Sequence, residues 1–247
     1  MNTEIYNDKF HEGRTNLTQY SAQRILALLL EIYPIKSVCD IGGGIGVWVK
    51  TFLELNEKGN VLCIDGDYIK KDQLVIEENN FVVKDLEDRI TLKTRYDLAI
   101  SLEVAEHLTS GRAESFVEDL TKISDVVLFS GAVKGQGGEG HINEQFMSYW
   151  IQLFDAQDYR AFDIIRPQIQ DENNIPWWYK QNIMVFVNQN NELRIKEFEA
   201  VSQLPALKYT VSEGIYDSLL FEYNQIVGSR WYKIVQKIFC LLQIGDK

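Results

Sequence analysis

Three histidines are the side chains best suited to proton transfer near neutral pH: His11, His107 and His141. The ordinary pKa of an imidazole is near 6.5, so it both takes up and releases protons in this range. His141 stands in the segment GGEGHINEQF, where flanking glycines predict a loop that moves or comes close to a ligand. We therefore predict that His141 is a general base, and that Asn143 and Glu144 either orient its ring or hold substrate hydroxyls. The competing interpretation is a surface histidine that precedes a helix cap at Asn143.

A second chemical feature is the glycine-rich turn in the segment VCDIGGGIGVW, at 38–48. An apolar strand enters this turn and a helix leaves it, and its residues suited to ligand binding are Asp40, Gly42, Gly44 and Gly46. Glycine accepts a positive φ and lets a ligand approach the backbone, while the helix N-terminus offers free N–H groups. The dinucleotide pattern G-x-G-x-x-G, started at Gly42, requires glycine or alanine where Val47 stands. The turn therefore favours a different cofactor.

These residues need a scaffold, and the chain predicts one in which short apolar strands alternate with amphipathic helices, as in a parallel sheet covered by helices. The predicted strands are 37–42, 60–65, 80–84, 96–102, 125–131, 161–166 and 182–188. The predicted helices are 17–33, 45–57, 68–78, 111–123 and 143–157. We expect one α/β domain over 1–189 and a C-terminal helical extension over 190–247. In that extension 190–212 looks irregular, and a helix over 214–243 is broken near Gly228.

Acidic residues follow the second, third and fourth predicted strands, in LCIDGDY, FVVKDLED and YDLAISLEVAEHL. Together with the D-x-G-x-G-x-G turn, these motifs resemble class I S-adenosylmethionine-dependent methyltransferases over about 33–189. The resemblance implies a Rossmann-like, seven-stranded, mostly parallel sheet flanked by helices, with S-adenosyl-L-methionine as the cofactor. The cofactor site that it implies consists of Asp40, Gly42, Gly44, Gly46, Asp65, Asp67, Asp85, Leu86 and Glu103.

Within that site, the resemblance implies that Asp65 binds the ribose hydroxyls and that Asp85 lies at the adenine edge. Acidic side chains around the cleft also favour a cationic sulfonium. Tyr20 and Ser21, on the first helix, are candidate contacts for the amino acid end of the cofactor. Two assignments stay open: Asp67 either faces the ribose or caps the next helix, and Asp85 is equally well explained as a solvated loop acid.

A narrower resemblance concerns the methyl acceptor. The segment GGEGHINEQFMSYWIQLF, followed by D…P-W-W-Y-x-Q-N, is similar to bacterial methyltransferases associated with surface-polysaccharide and O-antigen biosynthesis. It implies a sugar or glycan hydroxyl as acceptor, bound by Asn143, Asp171, Trp177, Trp178 and Tyr179. The expected reaction is a direct displacement with His141 as base, Glu144 beside it and His107 shaping the pocket floor. The other role open to the two tryptophans is to pack their loop against the sheet.

Two other functions stay open. One is methylation of a small metabolite at nitrogen or carbon, and the other is a non-catalytic scaffold in a glycan-assembly complex. The intact glycine turn and Asp65 argue against the scaffold. No metal site is assigned, although acids such as Asp171 and Glu144 leave metal assistance open.

Composition restricts the partners and the compartment. The 25 Lys and Arg residues against 36 Asp and Glu give a net charge of −11, which argues against a protein that grips nucleic acid. Three cysteines without a C-x-x-C pair argue against a disulfide framework and fit a reducing cytoplasm. The N-terminus is polar and lacks the apolar core of a signal peptide, and no apolar stretch is long enough to span a bilayer. We expect a cytoplasmic protein.

The C-terminal segment SLLFEYNQIVGSRWYKIVQKIFCLLQ carries an apolar stripe near Arg230, Lys233 and Lys237. We expect this stripe to pack against its own domain or in a homodimer, which is the commoner arrangement. A partner enzyme, or peripheral contact with the inner face of the membrane, is the alternative.

Overall fold

In the computed structural model, the protein is described over residues 8–202, 221 and 223–234, with side chains from residue 16 onward. The strands are β1 (Ser37–Ile41), β2 (Asn60–Asp65), β3 (Phe81–Val83), β4 (Leu98–Leu102), β5 (Val126–Ser130), β6 (Tyr159–Phe162) and β7 (Met184–Asn188). The helices are α1 (Asp8–Ile32), α2 (Val47–Leu55), α3 (Ala113–Ile123), α4 (Met147–Asp155), α5 (Arg166–Ile169), α6 (Trp177–Asn182) and α7 (Glu192–Val201). Four short 3-10 turns lie at Lys71–Gln73, Glu78–Asn80, Ala105–His107 and Ser110–Arg112.

The seven strands form one sheet in the order β3-β2-β1-β4-β5-β7-β6. The first five strands run parallel, whereas β7 is antiparallel to both β5 and β6. The strand order reverses between β1 and β4, and ligands of open α/β sheets bind beyond the carboxyl ends of the strands at such a point. Asp40 lies there, paired with Cys63 of β2 and Ile100 of β4.

Alternate strand residues enter two separate hydrophobic clusters, because successive side chains of a strand point to opposite faces. Val38, Leu98 and Leu128 join the cluster that includes α1 and α2. Cys39, Ala99 and Phe129 join the cluster that includes α3 and α4. The sheet is thus buried on both faces, which explains why its strands read as continuous apolar runs.

Four predicted elements differ from the structure. The strand predicted over 161–166 is β6, which begins at Tyr159 and ends at Phe162, before α5 begins at Arg166. The helix predicted over 68–78 is only the 3-10 turn Lys71–Gln73, which has no buried residue and hence no apolar face to pack. The helix predicted from Asn143 begins at Met147 after an N-cap at Phe146, so the predicted cap is wrong. The irregular segment predicted over 190–212 contains α7, because Phe198 is fully buried against Tyr33 and Phe162.

The chain divides into two units after residue 206, so α7 belongs to the first unit. The domain boundary after residue 189 stays a prediction. Residues 223–228 and 230–234 are helical, with a bend at Ser229 next to the break expected at Gly228. Apart from residue 221, the rest of the helix predicted over 214–243, including Lys237, lies outside the described residues. Within the described part of the chain, no helix has the length and apolarity needed to cross a membrane.

Candidate active site

The glycine turn connects β1 to α2 through three residues with positive φ: Gly42 at 78°, Gly44 at 58° and Gly46 at 92°. A Cβ atom on Gly42 would lie 2.3 Å from Cγ2 of Val104, and one on Gly46 would lie 2.7 Å from Cδ1 of Ile76. A Cβ on Gly44 would meet nothing within 4 Å. Two of these glycines therefore serve close packing, whereas Gly44 leaves open space for a ligand.

A cavity of about 1130 Å³ opens beside this turn at the carboxyl ends of β1, β2, β3 and β4. The predicted cofactor residues that line it are Gly42, Gly44, Asp65, Asp67, Asp85, Leu86 and Glu103. His107 and Tyr68 complete part of the wall. The fold therefore gathers residues from four separate motifs around one space, while their roles toward a cofactor stay predictions.

Asp65, at the end of β2, is 2% exposed and uses both carboxylate oxygens. Its Oδ2 accepts a hydrogen bond from the backbone N–H of Gly44 at 2.6 Å, and its Oδ1 accepts one from Gly66 at 2.7 Å. The hydroxyl of Tyr68 also donates to Oδ1. Partial burial and this contact raise the pKa of the Tyr68 hydroxyl. The sequence interpretation missed Tyr68, although its spacing of three residues from Asp65 in LCIDGDY was a usable signal.

Asp40 lines a second cavity of about 400 Å³ that shares the glycine turn with the first. Its Oδ2 is buried and has no hydrogen-bond partner among the described residues. Burial, with a smaller contribution from the nearby charge of Asp65, raises the pKa of the Asp40 carboxyl to about 8. The rest of this wall includes Thr18, Trp48 and Tyr179, with the last two rings in edge contact at 5.8 Å.

The helix α1 contributes a different residue from those expected. The hydroxyl of Tyr20 donates to Glu172 at 2.7 Å, and Ser21 is buried with its hydroxyl bonded to the carbonyl of Leu17. Thr18 instead lines the smaller cavity. Thr18 lies two residues before Tyr20 and three before Ser21, so the register of α1 decides which side chain reaches the cavity.

Glu103 adopts a positive φ of 55° directly after β4, a conformation that is uncommon outside glycine. Its carboxylate accepts hydrogen bonds from Asn182 at 3.1 and 3.3 Å and from Gln136 at 3.3 Å. These two amides come from α6 and from the glycine-rich loop after β5, so Glu103 connects the end of β4 to both of these segments. Sequence reasoning placed Asn182 in the aromatic motif but missed its partner, and Gln136 carried no signal.

His141 and Glu144 lie together, with Nδ1 of the ring 2.9 Å from Oε1 of the carboxylate. Glu144 also accepts hydrogen bonds from the backbone N–H groups of Gly135 and Gly137, at 2.8 and 2.7 Å. The ring of His107 packs edge-on against that of His141, with centroids 4.9 Å apart. Burial and the neighbouring His141 lower the pKa of His107. The two histidines that were predicted to be catalytic therefore lie in contact, while their catalytic roles stay predictions.

Glu106 is the main residue that sequence reasoning missed, although it stands inside the motif EVAEHL. It is 1% exposed, and neither carboxylate oxygen has a hydrogen-bond partner among the described residues. Burial and the charge of Glu103 raise the pKa of this carboxyl to about 8, against a smaller lowering by nearby backbone N–H groups. Oε1 of Glu106 lies 4.0 Å from Nε2 of His141. Glu106, His107 and His141 each offer one metal-ligating atom, all within 4.8 Å of one another.

The predicted acceptor residues do not form one group. Asn143 is buried, with its amide bonded to the carbonyl of Ala105 and to the side chain of Gln145. Asp171 is exposed and is absent from the described lining of both cavities. Trp177 is 53% exposed, and Trp178 is partly buried against the core. These roles stay predictions, as does any role of His11, whose side chain lies outside the described residues.

The sheet order, the antiparallel β7 and a ligand-sized cavity at the β1–β4 reversal define the class I methyltransferase fold. Solved structures share this fold at low sequence identity. DesVI from Streptomyces venezuelae is 14% identical with a TM-score of 0.54, over 73% of this chain and 95% of its own. An O-methyltransferase family protein from Burkholderia thailandensis is 12% identical with a TM-score of 0.53, over 74% and 59%.

A third structure is the methyltransferase domain of the bacterial protein CtHen1-C, which is 20% identical with a TM-score of 0.50. That similarity covers 70% of this chain and 98% of the domain. The chain spans only 51% and 57% of the length of two other solved chains that it matches. No family model matches the sequence, and no curated protein does. At these identities the similarity establishes the fold alone.

Proposed function

We propose that this protein is an S-adenosylmethionine-dependent methyltransferase that transfers the methyl group to a hydroxyl oxygen. The observation that carries the proposal is the cavity of about 1130 Å³, in which one wall presents Gly44, Asp65, Asp85 and Glu103 together. Gly44 has a positive φ and open space above it, so its backbone is accessible to a ligand within this cavity. The similar fold of an O-methyltransferase family protein agrees with the proposal.

The residues present fit this cofactor. Gly44 leaves room for close approach to the backbone, and Asp65 offers carboxylate oxygens that suit the two ribose hydroxyls. The unpartnered Oδ2 of Asp40 in the adjoining cavity suits an ammonium group, which would supply the charge partner that this buried oxygen lacks. When bound, the cofactor supplies an electrophilic methyl group on a cationic sulfonium.

The acceptor has to meet that methyl group in line, so the remaining residues orient it and remove its proton. His107 and Glu103 line the cofactor cavity, and the ring of His141 contacts that of His107 edge-on. We therefore assign activation of the hydroxyl to His141, whose ring Glu144 holds in place at 2.9 Å. Glu103 is kept on the cavity wall by Asn182 and Gln136.

The acceptor that we propose is a sugar or glycan hydroxyl. The support lies in α6, where a run of three aromatic residues connects the exposed ring of Trp177 to Tyr179 in the wall of the smaller cavity. An exposed aromatic face suits the apolar C–H face of a sugar ring. Trp178 between them packs on the core and fixes the helix.

Calorimetry with S-adenosylhomocysteine, the demethylated product, tests the cofactor part. We expect binding by the intact chain, and a loss of at least about tenfold in Asp65→Ala, because hydrogen bonds to a charged group contribute about 1.5–3 kcal/mol. The control is Glu114→Gln, an exposed carboxylate on α3, which should bind normally. Equal affinity in Asp65→Ala would remove the ribose assignment.

Transfer of a labelled methyl group to a panel of nucleotide sugars and oligosaccharides tests the acceptor. His141→Ala should lower turnover by about 10²-fold or more and leave cofactor affinity nearly unchanged. Transfer only to amines or to carbon acids would overturn the oxygen assignment. Binding of the cofactor without transfer to any acceptor would favour the scaffold.

A further inference from the structure

We propose that Glu106, His107 and His141 bind a divalent transition-metal ion, of Zn²⁺ or Mn²⁺ character, beside the cofactor cavity. One ligand atom from each side chain lies within 4.8 Å of the other two. Two imidazoles with one carboxylate form a donor set that leaves coordination positions open for a substrate oxygen. This site lies apart from the cofactor contacts assigned above, except that His107 belongs to the wall of that cavity.

The buried carboxylate of Glu106 is the strongest evidence for a cation. Neither of its oxygens has a well-formed hydrogen bond among the described residues, although the backbone N–H groups of Glu106 and Ala132 act on it, and the residue is 1% exposed. A buried carboxylate without partners is costly unless it is neutralised or coordinates a metal. Its Oε1 faces Nε2 of His141 at 4.0 Å, so the space between these two atoms is where a cation would satisfy both.

The hydrogen bonds of both histidines present them as ligands. Nδ1 of His141 contacts the carboxylate of Glu144, and Nδ1 of His107 contacts the carbonyl oxygen of Gly140 at 3.3 Å. A carbonyl oxygen only accepts hydrogen bonds, and so does a carboxylate, so each Nδ1 carries the proton and each Nε2 keeps a free lone pair. Metal-ligating histidines are oriented by such carboxylate or carbonyl partners.

The glycine-rich loop after β5 is shaped to hold these rings. A Cβ on Gly138 would lie 2.3 Å from Nε2 of His141, and one on Gly140 would lie 3.4 Å from Nδ1 of His107. Gly135, Gly137 and Gly140 all have positive φ, and the first two donate backbone hydrogen bonds to Glu144. The sequence GQGGEGH is thus explained by the space and the backbone turns that the two rings require.

The distances are compatible with coordination after small movements. Ligands at about 2.1 Å from a tetrahedral zinc ion lie roughly 3.4 Å apart, so three side chains would share adjustments of about 1 Å. Gly140 leaves such room beside His107, which is itself exposed toward the cavity. The nearby negative charge of Glu103 adds further attraction for a cation.

With the ion bound, His141 would be a metal ligand and not a proton acceptor. The chemistry that follows from this rests on the proposed function. Coordination of the acceptor oxygen lowers the pKa of its hydroxyl, so the O–H proton leaves to solvent. The oxygen then forms a bond to the methyl carbon as the carbon–sulfur bond breaks, and that electron pair stays on sulfur. Since His107 borders both spaces, the coordinated oxygen would lie next to the methyl donor.

The test is calorimetric titration of the full chain with ZnCl₂ and, separately, MnCl₂, after treatment with a chelator and desalting. We expect one ion per chain, and an affinity at least about tenfold weaker in Glu106→Gln and in His141→Ala. Glu114→Gln is the matched control for loss of a carboxylate, because it is exposed on α3 and should bind normally. S-adenosylhomocysteine binding by each variant reports whether its fold is intact.

Absence of ion binding by the intact chain would overturn the proposal, as would equal binding by folded Glu106→Gln and the intact chain. If Glu106→Gln fails to fold, equal metal binding by folded His141→Ala and the intact chain would overturn the proposal. Metal binding without cofactor binding would contradict the proposed function and leave the metal site standing. Cofactor binding without metal binding would overturn the metal site and leave the proposed function standing, with His141 as the general base.

Discussion

The hydroxyl of Tyr68 donates a hydrogen bond to Oδ1 of Asp65, the carboxylate assigned to the cofactor ribose. Tyr68 is 70% exposed, and its ring covers Gly66, where a Cβ would lie 2.3 Å from the ring. The phenol thus stands where a ribose hydroxyl is expected. Because Tyr68 also lines this cavity, a ribose bound at Asp65 would have to displace the phenol.

The first prediction concerns this phenol. In Tyr68→Phe the competing hydroxyl is lost, so S-adenosylhomocysteine should bind about 2–10-fold more tightly, the equivalent of one net hydrogen bond. Calorimetry measures the change, with Asp65→Ala as the opposite case. A weaker affinity in Tyr68→Phe would instead show that the phenol binds the ribose together with Asp65.

The second prediction separates two glycines of the turn. Gly44→Ala places a methyl group in open cavity space and should weaken cofactor binding by at least about tenfold, with a stability cost of about 1–2 kcal/mol for its positive φ. Gly42→Ala adds a collision with Val104 and should lower the unfolding temperature further. Thermal unfolding measures the stability of both variants, and calorimetry measures their affinity for S-adenosylhomocysteine. The opposite order of stability would contradict the assignment of Gly42 to packing.

The third prediction follows from the pKa of Asp40, which burial raises to about 8. The free carboxyl is therefore neutral near pH 6, and an ammonium group at its Oδ2 would favour the charged form. Binding then releases a proton, so the affinity for S-adenosylhomocysteine should rise between about pH 6 and pH 8. Calorimetry in buffers of different ionisation enthalpy counts the released proton.

The matched variant Asp40→Asn should bind without this proton release. The free energy of unfolding of this variant should also lack the pH dependence that comes from the titration of Asp40. The folded pKa of Asp40 lies above the ordinary value near 3.9, so the free protein binds the extra proton and loses stability as the pH rises from about 4 to 8. Proton release that persists in Asp40→Asn would assign it to another group.

The fourth prediction concerns the amide that holds Glu103. Asn182 is 1% exposed and donates to both oxygens of Glu103, so Asn182→Asp places a second carboxylate against the first. We expect a loss of about 2–4 kcal/mol in the free energy of unfolding at neutral pH. Asn190→Asp, at an exposed position, should change it by no more than about 0.5 kcal/mol. Similar values for the two variants, measured by urea denaturation, would show that this contact is not stabilising.

Local sequence patterns predicted the five parallel strands of the sheet well. The strands β1, β2 and β4 read as apolar runs because both sheet faces are buried, and the glycine turn followed from residues that need positive φ. The prediction over 68–78 failed since helical spacing without a buried face does not maintain a helix. The segment around α7 has no local helical signal, because its single buried anchor, Phe198, depends on partners far along the chain.

By itself, the sequence determined the fold class, the glycine turn and the acids that end the strands, because these depend on local spacing and on which residues tolerate the turn. Only the tertiary structure decided which groups meet. In the sequence Glu106 is an ordinary acid of the motif EVAEHL, whereas in the structure it is buried, with Oε1 4.0 Å from Nε2 of His141. Thr18 rather than Tyr20 reaches the site through the register of α1. Such contacts join residues distant in the chain, and their distances follow from packing rather than from spacing along the sequence.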